Sequence, residues 1–139
     1  MLDIIKTSKL NIIPTQGGDV FHGIKSSDGG FNRFGEVYFS WIKNNHVKAW
    51  KKHKKMTLNL VVPYGLVKFV FYKEKPSHTF RQEIIGNSNY YRLTVPPGIW
   101  FGFKGLSKEK SLVVNIADIE HDVNEVLKKE KNEIEFCWD

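Results

Sequence analysis

The chain has 139 residues, of which 41% are hydrophobic and 14% aromatic, and its formal net charge is +6. This length predicts one domain, residues 1–139, that buries a core, and the composition excludes a disordered chain. The single cysteine, Cys137, excludes an internal disulfide and a cysteine-rich metal site. No apolar run is long enough to cross a membrane, and residues 1–16 contain no leader-like apolar stretch, so we expect a cytoplasmic protein without a membrane partner.

Runs of aromatic and β-branched residues predict strands, in chain order, at residues 36–42, 57–62, 66–72, 90–95, 100–103 and 111–116. The glycine-rich residues 17–35 predict a long loop before them. Pro63-Tyr64-Gly65 predicts a turn that joins the second and third strands as a hairpin, and Pro96-Pro97-Gly98 predicts another turn. Short strands at regular spacing indicate an all-β sandwich or barrel.

A helical signal comes near the end of the chain. Asp122 is followed three residues later by Glu125, and Val126 and Leu127 supply apolar contacts, a pattern similar to a capping box. It predicts a short C-terminal helix through about residue 131.

Positive charge is concentrated in residues 48–55, which contain five lysines and His53. Such a run attracts polyanions, or it is a solvated edge of the fold. A single-strand nucleic-acid binder would combine these lysines with Trp50 as a stacking platform. No nucleic-acid-binding motif accompanies them, so we expect no nucleic-acid partner.

Polar and apolar residues alternate from residue 51 onward. If residues 51–59 form one strand, its polar face carries Lys51, His53, Lys55, Thr57 and Asn59. The other face becomes apolar and predicts packing against a second sheet or subunit by Met56, Leu58, Leu60 and Val62. The polar face lines a ligand cavity in one interpretation and faces solvent in the other.

Two segments resemble the core of a known family. Residues 47–57, leading into Pro63-Tyr64-Gly65, and residues 93–103, around Pro96-Pro97-Gly98, are similar to the dTDP-4-dehydrorhamnose 3,5-epimerase family, as are residues 35–39 and 136–139. The resemblance implies a cupin-type jelly-roll β-barrel and a homodimer. It also implies a metal-free reaction on a 4-keto sugar linked to a nucleoside diphosphate, in surface polysaccharide biosynthesis.

The residues give a separate test for metal. A metal-binding cupin needs two histidines one residue apart on one strand and a third after a Pro-x-Gly turn. Lys51 and Phe101 stand at two of these positions, which leaves His53 alone. We therefore predict no metal site and no cofactor.

Epimerisation beside a ketone needs a base, a donor or cation for the enolate oxygen, and an acid on the opposite face. The family's base histidine falls on Lys51, and its tyrosine pair falls near Ile119 and Glu120, where no phenol stands. His53 is the best substitute base, since imidazole titrates near neutrality. Lys51 acts as a base only if its pKa is depressed by burial and by neighbouring lysines. No tyrosine can be assigned as the acid from the sequence.

Six further residues are candidates for substrate binding, each with a structural alternative. Lys48 keeps positive charge where the family usually has arginine, Arg92 suits a phosphate, and Trp100 can stack on a base or sugar. Thr57, Asn59 and Asn115 offer polar groups to sugar hydroxyls. The sequence predicts an epimerase or isomerase of a nucleotide sugar, or a binding protein of the same fold that lacks the chemistry.

Overall fold

The computed structural model describes residues 2–139. Twelve strands follow in chain order: β1 Lys6–Lys9, β2 Ile12–Ile13, β3 Val20–Phe21, β4 Glu36–Ile42, β5 Val47–His53, β6 Leu58–Tyr64, β7 Leu66–Lys73, β8 Thr79–Gly86, β9 Tyr91–Val95, β10 Trp100–Gly105, β11 Ser111–Ala117 and β12 Val126–Lys128. Single 3-10 turns lie at Leu2–Ile4 and Lys131–Glu133. No helix in residues 2–139 has the length and apolarity to cross a bilayer.

Ten of the strands form two five-stranded antiparallel sheets that face each other. The first sheet has the order β1-β9-β6-β11-β4, and the second sheet has the order β12-β5-β10-β7-β8. Strands β2 and β3 form a separate two-stranded ribbon. This arrangement confirms the predicted all-β jelly roll, and the six strands predicted from the sequence are all present.

The hydrophobic core lies between the two sheets. Phe69 and Phe71 of β7 are fully buried there, opposite Leu58, Leu60 and Leu93 of the first sheet. The packing predicted for the apolar set that begins at Met56 is therefore confirmed, because these side chains meet the second sheet. Burying a large apolar side chain contributes about 1.5–3 kcal/mol, so this layer provides much of the stability.

A second apolar cluster lies on the outer face of the second sheet. Trp50 and Trp100 are covered there by the C-terminal tail, which contributes Ile134, Phe136 and Trp138. The backbone oxygen of Trp138 accepts hydrogen bonds from Lys104 Nζ at 2.9 Å and Lys68 Nζ at 3.3 Å. The tail is thus fixed to the sheet by both apolar and polar contacts.

The hairpin predicted for the strands around Pro63-Tyr64-Gly65 is wrong, because β6 and β7 belong to different sheets. Gly65 has a φ of +91°, which favours glycine, and a Cβ there would lie 2.2 Å from Ser111 Oγ. Ser111 Oγ also bonds the backbone N–H of Leu66 at 3.1 Å. The turn is held against β11, and the chain then crosses from one sheet to the other.

The helix predicted through residue 131 is also wrong. Asp122 and Glu125 form one turn, closed by the Glu125 N–H to Asp122 O bond at 3.1 Å, and β12 follows as a strand. β12 pairs with the outer edge of β5, and Lys129 exchanges two backbone hydrogen bonds with Trp50. A short helix has little stability of its own, so a sheet edge that needs partners determines the conformation.

Residues 51–59 do not form one strand. β5 ends at His53 in the second sheet and β6 begins at Leu58 in the first, and residues 54–57 cross between them. The polar residues predicted to share one face are therefore divided between two sheets.

Candidate active site

A cavity of about 590 Å³ opens between the two sheets, beside the hydrophobic core. Strands β4 and β11 form one wall, β5 and β10 form the opposite wall, and residues 126–133 border the mouth. Its floor is apolar and is formed by Met56, Leu60, Phe101, Phe103 and Val113. Polar and charged side chains also line the cavity, and such a combination is typical of a small-molecule site.

His53, which lines the cavity, forms a hydrogen-bonded pair with the buried Glu125. The Nδ1 atom of His53 contacts Glu125 Oε1, and the imidazole stacks on Phe101 with ring centroids 6.0 Å apart. Glu125 is 3% exposed, and its Oε2 accepts the backbone N–H groups of Lys55 at 3.1 Å and Met56 at 3.2 Å. The carboxylate orients the imidazole, leaves Nε2 as the second ring nitrogen, and stabilises the imidazolium that forms when the ring takes a proton.

Glu125 is held in its charged form. Burial alone raises the pKa of this carboxyl group, but the hydrogen bonds from His53, Lys55 and Met56 outweigh burial and lower it below 4.5. Glu125 therefore remains an acceptor for His53 at neutral pH.

Lysines give the cavity a positive potential. Lys48, Lys51 and Lys128 line it, whereas the Lys129 ammonium lies over Trp100 on the outer face, and Lys48 Nζ donates to the backbone oxygen of Trp41 at 2.8 Å. Burial of the ammonium group, followed by the charges of Lys128 and Lys48, lowers the pKa of Lys51. Burial and the neighbouring lysines therefore act on the pKa of Lys51 in the direction that the sequence predicted, although the residue as a whole is exposed.

Tyr38 projects into the cavity from β4, on the wall opposite His53. Its hydroxyl donates to Glu36 Oε1 at 3.1 Å, and the same oxygen accepts the backbone N–H of His121 at 3.0 Å. Burial, together with the hydrogen bond and charge of Glu36, raises the pKa of Tyr38 to about 12. The phenol therefore keeps its proton and can serve as an acid.

Four of the predicted site residues line this cavity, namely Lys48, Lys51, His53 and Asn115. Asn115 is fixed by the backbone N–H of Asn59, which donates to its Oδ1 at 3.2 Å. Its amide Nδ2 is 3.9 Å from Met56 Sδ, a contact with the apolar floor.

The other four predicted residues, Thr57, Asn59, Arg92 and Trp100, are placed outside the cavity. Asn59 and Arg92 lie under the loop that covers the first sheet. The Asn59 amide donates to Gly30 O at 3.0 Å and accepts from the Thr94 hydroxyl at 2.6 Å. Arg92 donates to Gly23 O at 3.0 Å and pairs with Asp28 at 3.3 Å. The Thr57 backbone N–H donates to Asp118 at 2.8 Å. Trp100 lies on the outer face of the second sheet, with the ammonium groups of Lys52 and Lys129 each 5.0 Å from its ring. Thr57 and Asn59 lie outside the cavity because the strand is interrupted between β5 and β6, and β6 turns its apolar side inward.

The sequence did not identify Tyr38 or His121 as cavity residues, or Glu125 as the partner of His53. Alternation along β4 gives a partial signal, because Tyr38 and Ser40 point inward while Val37 and Phe39 are exposed. Glu125 is 72 positions from His53, and nothing local predicts that pairing. Within residues 2–139, no group of three or more His, Cys, Asp or Glu side chains is placed to hold a metal ion.

Comparison with known proteins identifies the family. The chain is 36% identical to a dTDP sugar isomerase from Desulfovibrio desulfuricans G20, over 99% of this chain and 92% of that one, with a TM-score of 0.92. No family model matches. The chain therefore belongs to the family of dTDP-sugar isomerases and dTDP-4-dehydrorhamnose 3,5-epimerases, which confirms the resemblance seen in the sequence.

More distant solved structures share the fold, and a curated protein matches part of the sequence. RmlC from Legionella pneumophila Philadelphia 1, a dTDP-6-deoxy-D-glucose-3,5-epimerase, is 16% identical, with a TM-score of 0.79 over 93% of this chain and 74% of that one. QdtA from Thermoanaerobacterium thermosaccharolyticum, a sugar 3,4-ketoisomerase, is 20% identical, with a TM-score of 0.74 over 93% and 90%. A probable low-salt glycan biosynthesis epimerase, Agl13 of Haloferax volcanii, is 28% identical over 83 residues, 56% of this chain. The match spans 53% of Agl13, about half its length.

Proposed function

We propose that the chain is a metal-free, cofactor-independent epimerase or isomerase of a 4-keto sugar linked to dTDP. The observation that carries the proposal is the His53–Glu125 pair, which faces Tyr38 across a cavity lined by lysines. The dTDP sugar isomerase that is 36% identical supports the substrate class. The glycan biosynthesis epimerase supports a role in surface polysaccharide synthesis.

The chemistry follows from the positions of these groups. The 4-keto group makes the hydrogens on its neighbouring carbons acidic, and His53 Nε2 removes one of them while Glu125 stabilises the imidazolium. Lys51 activates the ketone, and Lys48 and Lys128 attract the diphosphate. Tyr38, on the other wall, returns a proton to the opposite face of the sugar.

The alternative is a nucleotide-sugar binding protein that has lost catalysis. It is favoured by Lys51 at the position where the family's pattern has histidine, and by Ile119 and Glu120 at the positions of its tyrosines. Either function uses the same cavity and the same lysines.

Solvent exchange separates the two functions. The protein is incubated with dTDP-4-keto-6-deoxyglucose in deuterium oxide, and the hydrogens beside the ketone are followed by NMR. We expect deuterium uptake that falls by about 10²-fold or more in His53→Asn, since a general base typically contributes that much. His46→Asn, which changes an exposed histidine in the β4–β5 turn, is the matched control and retains uptake. Binding without uptake by the unchanged protein leaves only the binding function.

A cytoplasmic homodimer is part of the proposal. The outer face of β4, an edge strand, exposes Val37, Phe39 and Trp41 at 38%, 66% and 46%, and Tyr64 lies beside them at 51%. A second copy of the chain covers such a face by placing the same aromatic strip against itself. Light scattering after gel filtration is expected to give twice the chain mass, and Phe39→Glu is expected to give the monomer. A monomeric unchanged protein would contradict the homodimer.

The exposed free thiol of Cys137 supports a reducing compartment.

A further inference from the structure

Lys51 occupies a distinctive place in the cavity wall. On β5 it lies two residues before His53, so both side chains point to the same side of the second sheet. Its register partners are Phe101 on β10 and Lys128 on β12. Like charges at directly paired positions of a sheet are destabilising, so the Lys51–Lys128 pair costs free energy.

The ammonium group of Lys51 has no anionic partner. None of the ion pairs or side-chain hydrogen bonds within residues 2–139 includes Lys51 Nζ. The acidic groups that line the same cavity are Glu130 and Glu133, near its mouth. Glu125 is already hydrogen-bonded to His53. The nearby charges that act on Lys51 are those of Lys128 and Lys48, and with burial they lower its pKa.

A lysine in these conditions has a known kind of reactivity. Desolvation and a neighbouring cation both increase the fraction of free amine, and a free amine attacks carbonyl carbon. The substrate class of the proposed function carries a ketone beside the carbon that must lose its proton. The cavity thus places an amine without an anionic partner, a base and an acid around the space that a carbonyl compound would occupy.

We propose that Lys51 forms a Schiff base with the keto carbon of the sugar, and that proton transfer takes place on this covalent intermediate. The inference rests on the proposed function, because it requires a keto-sugar substrate. The chain is then an imine-forming member of its family, in which the lysine at the base position has become the nucleophile.

The step balances in atoms and charge. His53 accepts one proton from the Lys51 ammonium, and the nitrogen lone pair forms a C–N bond while the carbonyl π electrons move to oxygen. That oxygen takes a proton from Tyr38, and the nitrogen, now R–NH2+, gives its second proton through solvent to the Tyr38 phenolate and regains a lone pair. The new hydroxyl takes a proton from the His53 imidazolium and leaves as water when the nitrogen lone pair forms the C=N bond. Both protons that leave the nitrogen end on the departing water, His53 and Tyr38 return to their starting forms, and the net change is ammonium plus ketone to iminium plus water.

The iminium makes proton removal easier than the ketone does. Its positive nitrogen accepts the electron pair of the broken C–H bond, which gives a neutral enamine, and His53 is the base. Reprotonation of the enamine carbon and attack of water on the iminium release the product and restore the Lys51 ammonium. No oxidant or reductant takes part.

Reductive trapping tests the intermediate. The protein is incubated with dTDP-4-keto-6-deoxyglucose and sodium cyanoborohydride, digested, and examined by mass spectrometry. We expect the reduced sugar-nucleotide adduct on the peptide that contains Lys51. Lys51→Arg keeps the charge but cannot form the imine, so it is expected to lose both the adduct and about 10²-fold or more of the deuterium uptake. Lys108→Arg, an exposed lysine between β10 and β11, is the matched control and keeps both.

A second measurement uses the unchanged protein alone. Imine formation expels the keto oxygen, so turnover in water labelled with oxygen-18 is expected to place the label on the keto carbon faster than the reaction without protein. Deuterium uptake by the unchanged protein with no adduct and no added label overturns the Schiff base and leaves the proposed function intact. Full uptake by Lys51→Arg does the same. If the unchanged protein shows no deuterium uptake and does not bind the sugar nucleotide, both the Schiff base and the proposed function are ruled out.

Discussion

Tyr38 is the residue that the proposed chemistry needs on the wall opposite His53. Its hydroxyl has Glu36 as its hydrogen-bond partner, and its pKa, raised to about 12, keeps it protonated. We predict that Tyr38→Phe lowers the rate of product formation by about 10²–10⁴-fold while the KM changes little, because the phenyl ring remains and the proton is lost. Steady-state kinetics on dTDP-4-keto-6-deoxyglucose measures both constants.

The matched control for this prediction is Tyr72→Phe. Tyr72 is on the outer face of the second sheet, where its hydroxyl contacts His78, far from the cavity. It is expected to leave both constants unchanged. A Tyr38→Phe protein with a normal rate would show that another group returns the proton.

Glu125 joins the chemistry of His53 to the stability of the chain crossing at residues 54–57. Removal of the carboxylate in Glu125→Ala leaves the backbone N–H groups of Lys55 and Met56 without their acceptor. We predict a loss of about 1–3 kcal/mol in the free energy of unfolding, which is the cost of unsatisfied buried donors. Urea unfolding followed by tryptophan fluorescence measures it, and an unchanged midpoint would contradict the role.

The same carboxylate gives the stability a dependence on pH. Because the folded-state pKa of Glu125 is lowered from 4.5, its contribution is fully present above about pH 4.5 and is lost as the pH falls through the folded-state pKa. We predict that the stability difference between the unchanged protein and Glu125→Gln shrinks as the pH falls below 4.5. Urea unfolding at a series of pH values tests this, and a difference that stays constant or grows would contradict it.

Among the elements, strand positions could be read from the sequence, but strand partners could not. The predicted strand 36–42 is β4 as observed, since alternating and β-branched residues favour strands locally. The partner of β6 depends on β9 and β11, which come later in the chain. Residues 126–128 form a strand because they pair with a free edge of β5. The local sequence around Asp122 carries no information about that edge.

The C-terminal tail is the element whose removal is easiest to test. Trp138 is 5% exposed and packs on Trp50, with ring centroids 5.4 Å apart. We predict that Trp138→Ala lowers the free energy of unfolding by about 3–5 kcal/mol, through lost burial and the gap left behind. Glu135→Ala, an exposed position in the same tail, is expected to change it by less than about 0.5 kcal/mol. Thermal and urea unfolding compare the two variants, and equal effects would contradict the anchoring role.

For the molecule as a whole, the sequence predicted the fold and family better than the site. His53, Lys51, Lys48 and Asn115 reach the cavity because β5 and β11 turn those positions inward. Tyr38 enters the cavity, and Glu125 contacts His53, from segments that are distant in the chain, so only the closed sandwich brings these groups together. Thr57 and Asn59 were assigned to the cavity on the assumption of one continuous strand, which the crossing at 54–57 removes.

The net charge of +6 and the lysines of the cavity predict sensitivity to salt. Screening weakens attraction between an exposed cation and a diphosphate, so KM is expected to rise several-fold from about 0.05 to about 0.5 M NaCl while kcat stays level. Lys128→Gln is expected to reduce this slope. Binding of uncharged thymidine, followed by calorimetry, is expected to respond little to salt, and an equal response would contradict electrostatic capture.

The border formed by residues 126–133 is attached to the sandwich through one edge of β5, whereas Tyr38, Lys51 and His53, the groups proposed to react, are carried by strands β4 and β5 themselves. Sequence drift in that border can therefore alter which sugar substituents fit, with little disturbance of the interior. Laboratory evolution towards new sugars would best begin with libraries confined to this stretch, and natural diversification of substrate preference should leave its strongest trace there.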